Sequence, residues 1–218
     1  MNNIKLKVKG ILLDLDGTVL DTKDAYVAAA KNAFKKLGLC EPKNGIALEI
    51  PKRIEQKLPL ADLVGCDSSQ FLDVYLKGFY NISSNKTRPF PHVIETLAAL
   101  SQKAKLAIIT MRFVPKEIVI KELKQFGLEG HFTQVFTALD TDKPKPSPEA
   151  LIKAAKAIDV KMDECAIVGD SVIDVQAGKA AQTNTVAVLS GLYSREELAK
   201  TNPDLIIKNI KELPKFID

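Results

Sequence analysis

Two aspartates one residue apart, Asp14 and Asp16, lie in the segment Leu13-Asp14-Leu15-Asp16-Gly17-Thr18. Carboxylates on such a turn can serve as nucleophile, as proton donor and acceptor, or as ligands to a hard cation. A second acidic pair follows much later: Asp170 in Val168-Gly169-Asp170-Ser171, and Asp174 four residues beyond it. Between the pairs stand a hydroxyl, Thr110 after Ile108-Ile109, and an ammonium group, Lys143 in Asp142-Lys143-Pro144-Lys145-Pro146, on a loop stiffened by proline. Each has a plainer reading when taken singly. Asp16-Gly17 can simply reverse the chain, Thr110 can cap a helix, Lys143 can be a solvent lysine, and Asp170 or Asp174 can be a helix N-terminal charge. Together they imply more. Two like charges 4 Å apart repel by roughly 4 kcal/mol at an effective dielectric of 20, so four converging carboxylates call for a cation.

The elements that must bring these residues together are short apolar runs alternating with helical patterns. Val8 to Leu13, Leu106 to Ile109, Gln134 to Ala138, Cys165 to Val168 and Thr185 to Leu189 read as buried parallel strands. The stretches between them carry apolar residues three and four apart, as at Ile118, Leu123 and Phe126 after Pro115, and at Leu151, Ala154, Ala155 and Ile158 after Pro148. This rhythm predicts an α/β fold with a doubly wound, Rossmann-like parallel sheet. In such sheets ligands bind at the carboxyl ends of the strands, which is where Asp14, Thr110 and Asp170 fall. The rhythm breaks between Asp21 and about Thr87, where helical patterns dominate. The expected organisation is therefore an α/β catalytic core of residues 1–20 and 88–218 interrupted by a small α-helical cap, residues 21–87. In the cap, Asp21 or Thr22 starts a first helix with Tyr26, Val27, Ala30, Phe34 and Leu37 on one face, and Gly38 ends it. Pro51 and Pro59 are expected to punctuate two short helices, and a third runs from Ser68 or Ser69 through Phe79. Arg88-Pro89-Phe90-Pro91 reads as the return hinge.

Asp14-Leu15-Asp16-Gly17-Thr18, the Thr110 hydroxyl, Lys143-Pro144-Lys145-Pro146, and Gly169-Asp170-Ser171 with Asp174 resemble, in that order, the four motifs of the haloacid dehalogenase superfamily. The helical insertion between the first two resembles that superfamily's C1-type cap, as in phosphoglycolate phosphatase-like and β-phosphoglucomutase-like members. The resemblance implies a phosphatase acting on a small phosphomonoester, with Mg²⁺ held by the Asp14 carboxylate, the Asp16 main-chain carbonyl and the Asp170 carboxylate. It implies that Asp14 takes the phosphoryl group as nucleophile. Asp16 would protonate the leaving alkoxide and later deprotonate the attacking water. Thr110 and Lys143 would bind the phosphoryl group, and Asp174 would orient Lys143 or a metal-bound water from behind the ligands. An all-oxygen site that must also receive phosphate suits Mg²⁺ on its own chemistry.

Weaker candidates surround these. Met111 stands where many members of the superfamily have Asn, and Arg112 reads equally as a substrate contact or a surface residue. Lys52, Arg53 and Lys57 share one cap segment that reads better as a solvated face than as an anion site. His92 and His131 have no carboxylate or cysteine neighbours at ligand spacing.

Composition narrows the classes. The 218 residues, 46% hydrophobic and 27% charged, suit one catalytic unit with an insertion. A formal charge of +4 is spread along the chain among acidic residues, so no nucleic-acid partner is expected. No apolar run approaches the ~20 residues needed to span a bilayer, and Met-Asn-Asn-Ile-Lys-Leu-Lys lacks a signal-peptide pattern, so no membrane partner and a cytoplasmic location are expected. Cys40, Cys66 and Cys165 have neither an even count nor metal-ligand spacing. A monomer or homodimer is expected. The competing readings are a phosphomutase of the β-phosphoglucomutase type, against which Tyr26 stands where such enzymes carry a His, and a noncatalytic phosphate- or partner-binding module. A dehalogenase is disfavoured by Asp16, which supplies a leaving-group acid.

Overall fold

The structure, a computed structural model, describes residues 5–218 and, within one helix, the backbone but not the side chains of residues 83 and 84. The first four residues, part of the N-terminal segment read above, lie outside the described residues. The chain divides into two compact units, residues 1–20 with 89–218, and residues 21–88.

The first unit is built on a six-stranded sheet: β1 (Gly10–Leu13), β4 (Lys105–Ile109), β5 (Gln134–Phe136), β6 (Cys165–Gly169), β7 (Asn184–Val188) and β8 (Leu205–Ile207). Two further strands, β2 (Leu20–Asp21) and β3 (Arg88–Pro89), form a separate ribbon where the chain passes between the units. The six-stranded order is β5-β4-β1-β6-β7-β8 and every neighbouring pair is parallel. The chain therefore winds outward from β1 through β4 to β5, then restarts on the other side of β1 at β6. That reversal leaves a crevice beyond the carboxyl ends of β1 and β6.

Each face of the sheet buries alternate residues. Ile11, Leu13, Leu106, Ile108, Ala166 and Val168 pack on one side with Leu97 and Leu100 of α5 (Val93–Ser101) and Val119 and Leu123 of α6 (Lys116–Gln125). Leu12, Ala107, Ile109 and Ile167 face the other side, with Leu151 and Ala154 of α7 (Glu149–Ala157) and Ala177 of α8 (Val172–Ala180). Central strands buried on both faces explain the continuous apolar runs in the sequence. Helix α9 (Arg195–Ala199) precedes β8, a strand for which the sequence showed no comparable run. On α6 the buried residues are Val119, Glu122 and Leu123, while Ile118 is exposed, so that helix is turned by one position from its expected face.

The second unit is wholly helical apart from the ribbon ends: α1 (Lys23–Lys36), α2 (Asn44–Glu55), α3 (Ala61–Val64) and α4 (Ser68–Lys86). It has its own core of Ala25, Ala29, Ala30, Ala33, Phe34, Ile50, Phe71, Tyr75 and Phe79. Small residues on α1 meet large ones on α4, and Tyr26 stacks on Phe79 with ring centroids 5.1 Å apart. Pro51 does not end a helix as expected. It lies inside α2, where Ala47, Ile50 and Pro51 are buried together. Proline in a helix interior costs about 3 kcal/mol, and burial of an apolar face of this size offsets it.

Candidate functional site

The site grows from the turn after β1. Asp14 N–H donates to the Val168 carbonyl at 2.9 Å, which ties the first residue beyond β1 to β6. The chain then reverses through Gly17, whose φ of 81° favours glycine, with Gly17 N–H donating to the Leu20 carbonyl at 2.7 Å. Thr110, Asp170 and the loop of residues 189–193 follow β4, β6 and β7 at the same edge of the sheet.

One lysine organises the centre, and it is Lys145. Its ammonium group donates to Asp14 Oδ1 at 2.6 Å, to Asp174 Oδ1 at 2.6 Å and to the Ile109 carbonyl at 3.0 Å. All three protons are used, at a residue only 2% exposed. Lys143, the lysine expected in this role, is exposed. Its main-chain N–H donates to Thr141 Oγ1 and to Glu149 Oε2, which ties it to the start of α7 on the outside of the loop. An ammonium group can be taken out of water only where acceptors await it, and the acceptors lie under Lys145. Burial works against the Lys145 charge, but Asp14 and Asp174 outweigh it and hold its pKa above the ordinary lysine value.

Asp174 is held from both sides. Its Oδ2 accepts from Ser171 N–H and Ser171 Oγ, a capping box at the start of α8, while Oδ1 takes Lys145. Asp170 sits in a slot between two glycines. A Cβ on Gly17 would lie 2.6 Å from the Asp170 carboxyl carbon, and one on Gly191 would lie 1.6 Å from Asp170 Oδ2. Thr18 Oγ1 donates to Asp170 Oδ1 at 3.3 Å, and Leu192 N–H donates to Oδ2 at 3.3 Å. Ser190 Oγ donates to the Gly17 carbonyl at 2.7 Å, fastening the 189–193 loop to the turn after Asp16. Sequence reasoning passed over Ser190 and Gly191; a small-residue pair just past a strand end was their only signal.

Asp16 lies apart from that group. Both its carboxylate oxygens are taken by Arg112, Nε to Oδ2 at 2.8 Å and Nη2 to Oδ1 at 2.7 Å. Arg112 Nη1 is paired with Glu122 of α6. Arg112 is 6% exposed, so of its two readings the surface one is excluded. Thr110 is buried, and its Oγ1 accepts from Arg112 N–H at 3.2 Å, which leaves the hydroxyl proton to donate elsewhere. Met111 packs beside Val172, Ile173 and Tyr193, a plain apolar role. In the cap, Arg53 bonds Glu49, Asp62 and the Pro59 carbonyl within its own unit.

The donor set suits a hard divalent cation. One carboxylate oxygen from each of Asp14, Asp170 and Asp174 lies within 4.8 Å of the others, all three residues being buried. Burial raises the Asp14 pKa well above the ordinary carboxylate value, and Asp174, Asp170 and Asp16 raise it further against the single opposing effect of Lys145. Relief comes from a proton or from a cation. Asp174 is committed to the Lys145 ammonium and to Ser171 at the start of α8, so Asp14 and Asp170 at the crevice are the better placed to bind one. Asp16 can contribute only its main-chain carbonyl while its side chain faces Arg112.

Comparison with known proteins agrees with this geometry. The family described as haloacid dehalogenase-like hydrolase matches residues 11–188, a span that holds the site residues from Asp14 to Asp174 and ends with β7. The chain is 28% identical over 218 residues to a phosphoglycolate phosphatase of Aquifex aeolicus, covering 95% of this chain and 96% of that protein. It is 27% identical over 215 residues to pyrophosphatase PpaX of Halalkalibacterium halodurans, with the same two coverages. A solved hydrolase of the haloacid dehalogenase-like family from Streptococcus pneumoniae superposes with a TM-score of 0.79 at 20% identity, over 95% of this chain and 97% of that one, and so shares the fold. With the family match spanning both acidic pairs and the sheet that joins them, this chain belongs to the haloacid dehalogenase-like hydrolases.

Proposed function

We propose that this hydrolase is a Mg²⁺-dependent phosphatase that cleaves a small phosphorylated metabolite through a phosphoaspartyl intermediate on Asp14. The observation that carries the reading is the buried Asp14 carboxylate, held by Lys145 and facing Asp170 at the crevice between β1 and β6. Phosphoryl transfer asks for a fixed nucleophile, charge compensation and in-line positioning more than for elaborate covalent chemistry.

In the proposed reaction an Asp14 oxygen attacks phosphorus, the bond to the leaving oxygen breaks, and Asp16, which enters this step as the protonated acid, gives that oxygen its proton and becomes a carboxylate. Asp16 then takes a proton from water, which attacks the phosphoaspartyl group, returning the Asp14 carboxylate and releasing phosphate. Lys145 holds Asp14 and offers positive charge to the transferring group, and Thr110 donates its free hydroxyl proton to a phosphoryl oxygen. Mg²⁺, held by Asp14, Asp170 and the Asp16 carbonyl, would supply charge neutralisation when bound. Asp174 positions Lys145.

The substrate class is drawn from the relatives, one named a phosphoglycolate phosphatase and another a pyrophosphatase. Phosphoglycolate and pyrophosphate therefore head the panel to be tested. Residues 21–88 are proposed as the cap that selects among such substrates. The phosphomutase alternative lacks a cap histidine at Tyr26, and the noncatalytic module is disfavoured by a site that keeps each charged group in a bonded position. No helix among the described residues is long and apolar enough to cross a membrane, which fits a cytoplasmic enzyme. The test is phosphate release from that panel with Mg²⁺ and with EDTA, for the native chain and Asp14→Asn. Release that needs Mg²⁺ and vanishes in the variant is expected; release that persists in EDTA, or in Asp14→Asn, overturns the mechanism.

A further inference from the structure

Arg112 is a buried charged residue of the site to which the proposed reaction gives no task. Its guanidinium grips both Asp16 oxygens side-on, at 2.8 and 2.7 Å, and so fixes the plane of that carboxylate as well as its position. A lysine at the same place could not do this, because an ammonium group is a point charge with no flat fork. The guanidinium is in turn held from behind. Glu122 on α6 takes Nη1, and α6 is seated on the sheet through Val119 and Leu123. The Arg112 main-chain N–H bonds Thr110 Oγ1 and its carbonyl accepts from Ala138 N–H at 3.1 Å, so its backbone is fixed to β4 and to the segment after β5. A chain of bonds thus runs from α6 through Glu122 and Arg112 to the Asp16 side chain.

We infer that Arg112 is a positioning residue, anchored by Glu122, which orients the Asp16 carboxylate for proton transfer to the leaving group. The inference rests on the proposed acid role of Asp16. It assigns Arg112 no direct contact with the reacting atoms. Such a role makes a prediction that a merely structural one does not. Help from a proton donor matters most when the departing oxygen is a poor leaving group and least when it is a good one, because a stable anion leaves unaided. Misplacing Asp16 should therefore hurt poor leaving groups selectively.

The experiment measures kcat/KM, which reports the steps up to departure of the leaving group, for para-substituted phenyl phosphates of similar size. Arg112→Lys is the main variant, since it keeps the charge and loses the fork. It is expected to lower kcat/KM for phenyl phosphate at least tenfold more than for p-nitrophenyl phosphate, steepening the dependence on leaving-group acidity. Glu122→Gln, which loosens the anchor but leaves the grip on Asp16, should steepen it less and serves as the readout if Arg112→Lys does not fold. Equal losses across the series in the folded variants overturn the inference and leave the phosphatase reading standing. A native chain that hydrolyses none of the series overturns both.

Discussion

Replacing Lys145 by Met should damage the protein far more than replacing Lys143 by Ala, and for reasons that separate stability from catalysis. Lys145 bridges two buried carboxylates, Asp14 and Asp174, at 2.6 Å each. Removing one partner of a buried ion pair costs ~3–5 kcal/mol, because a desolvated charge is left without compensation. Here two are left, although Asp174 keeps both bonds from Ser171 and Asp14 can escape by protonation, so the lower end, about 3 kcal/mol, is the expected loss. For a chain of this size 1 kcal/mol moves Tm by roughly 2–4 °C, which gives a fall of about 6–12 °C. Lys143 is exposed, and truncating its side chain should stay within about 0.5 kcal/mol. The rate should follow the same division: about 10²–10³-fold lower kcat for Lys145→Met, the scale of losing one preorganised charge at a phosphoryl group, and a native rate for Lys143→Ala.

A third reading links the two. With the ammonium gone, Asp14 and Asp170 have more need of a cation, so adding Mg²⁺ should raise the Tm of Lys145→Met by more degrees than it raises the native Tm. Thermal melts with and without Mg²⁺, alongside initial rates on p-nitrophenyl phosphate, measure all three quantities. A Lys143→Ala variant that loses activity while Lys145→Met retains it would refute the assignment. A Lys145→Met variant of native Tm would refute the claim that its ion pairs are what hold the buried carboxylates.

Gly191→Ala should keep its fold but lose Mg²⁺ binding, because a Cβ 1.6 Å from Asp170 Oδ2 must push that carboxylate or the 189–193 loop aside. Titration calorimetry with Mg²⁺ alone reads this, and native affinity in the variant would show that the slot around Asp170 is not needed. Asp204→Asn tests a site far from the chemistry. Partial burial works against the Asp204 carboxylate, but hydrogen bonds from Lys179 and from Thr185 N–H and Oγ1 outweigh it and hold its pKa below the usual range. A depressed folded-state pKa gives stability that is present above the unfolded value, about 3.9, and is lost as pH falls through the folded one. The native chain should therefore exceed Asp204→Asn by about 1 kcal/mol at pH 7, a figure reduced for an exposed partner, with the gap closing toward pH 3. A gap in Tm that does not narrow on acidification contradicts the linkage.

The parts of the molecule that local pattern determines could be read in advance. Fully buried parallel strands need unbroken apolar runs, so β1, β4, β6 and β7 stood out, and the order of the acidic pairs followed from the strands that carry them. β8 did not stand out, because Leu205–Ile207 is a three-residue strand at the sheet edge, half buried over its first two positions. Pro51 misled because its penalty is local while the burial that offsets it is set by α1 and α4, distant in sequence. Lys143 and Lys145 are indistinguishable by neighbours, each followed by proline. What separates them is the position of Asp174 and the Ile109 carbonyl, fixed only when β4, β6 and α8 assemble.

Arg112 was ambiguous for the same reason, and its resolution changes how the site's charge is understood. Among the described residues, the bonded group comprises Asp14, Asp16, Glu122, Asp170 and Asp174 against Lys145 and Arg112, an excess of three negative charges if all are ionised. The cations are not shared evenly. Lys145 serves Asp14 and Asp174, Arg112 serves Asp16 and Glu122, and Asp170 accepts from Thr18 Oγ1 and Leu192 N–H. In the proposed reaction a divalent ion would be drawn to Asp14 and Asp170, while Arg112 holds the Asp16 carboxylate apart from it to handle protons. Two separate cation clamps on neighbouring carboxylates would let one turn of chain carry the two chemistries of the proposed reaction, which the spacing Asp14-Leu15-Asp16 alone could not assign.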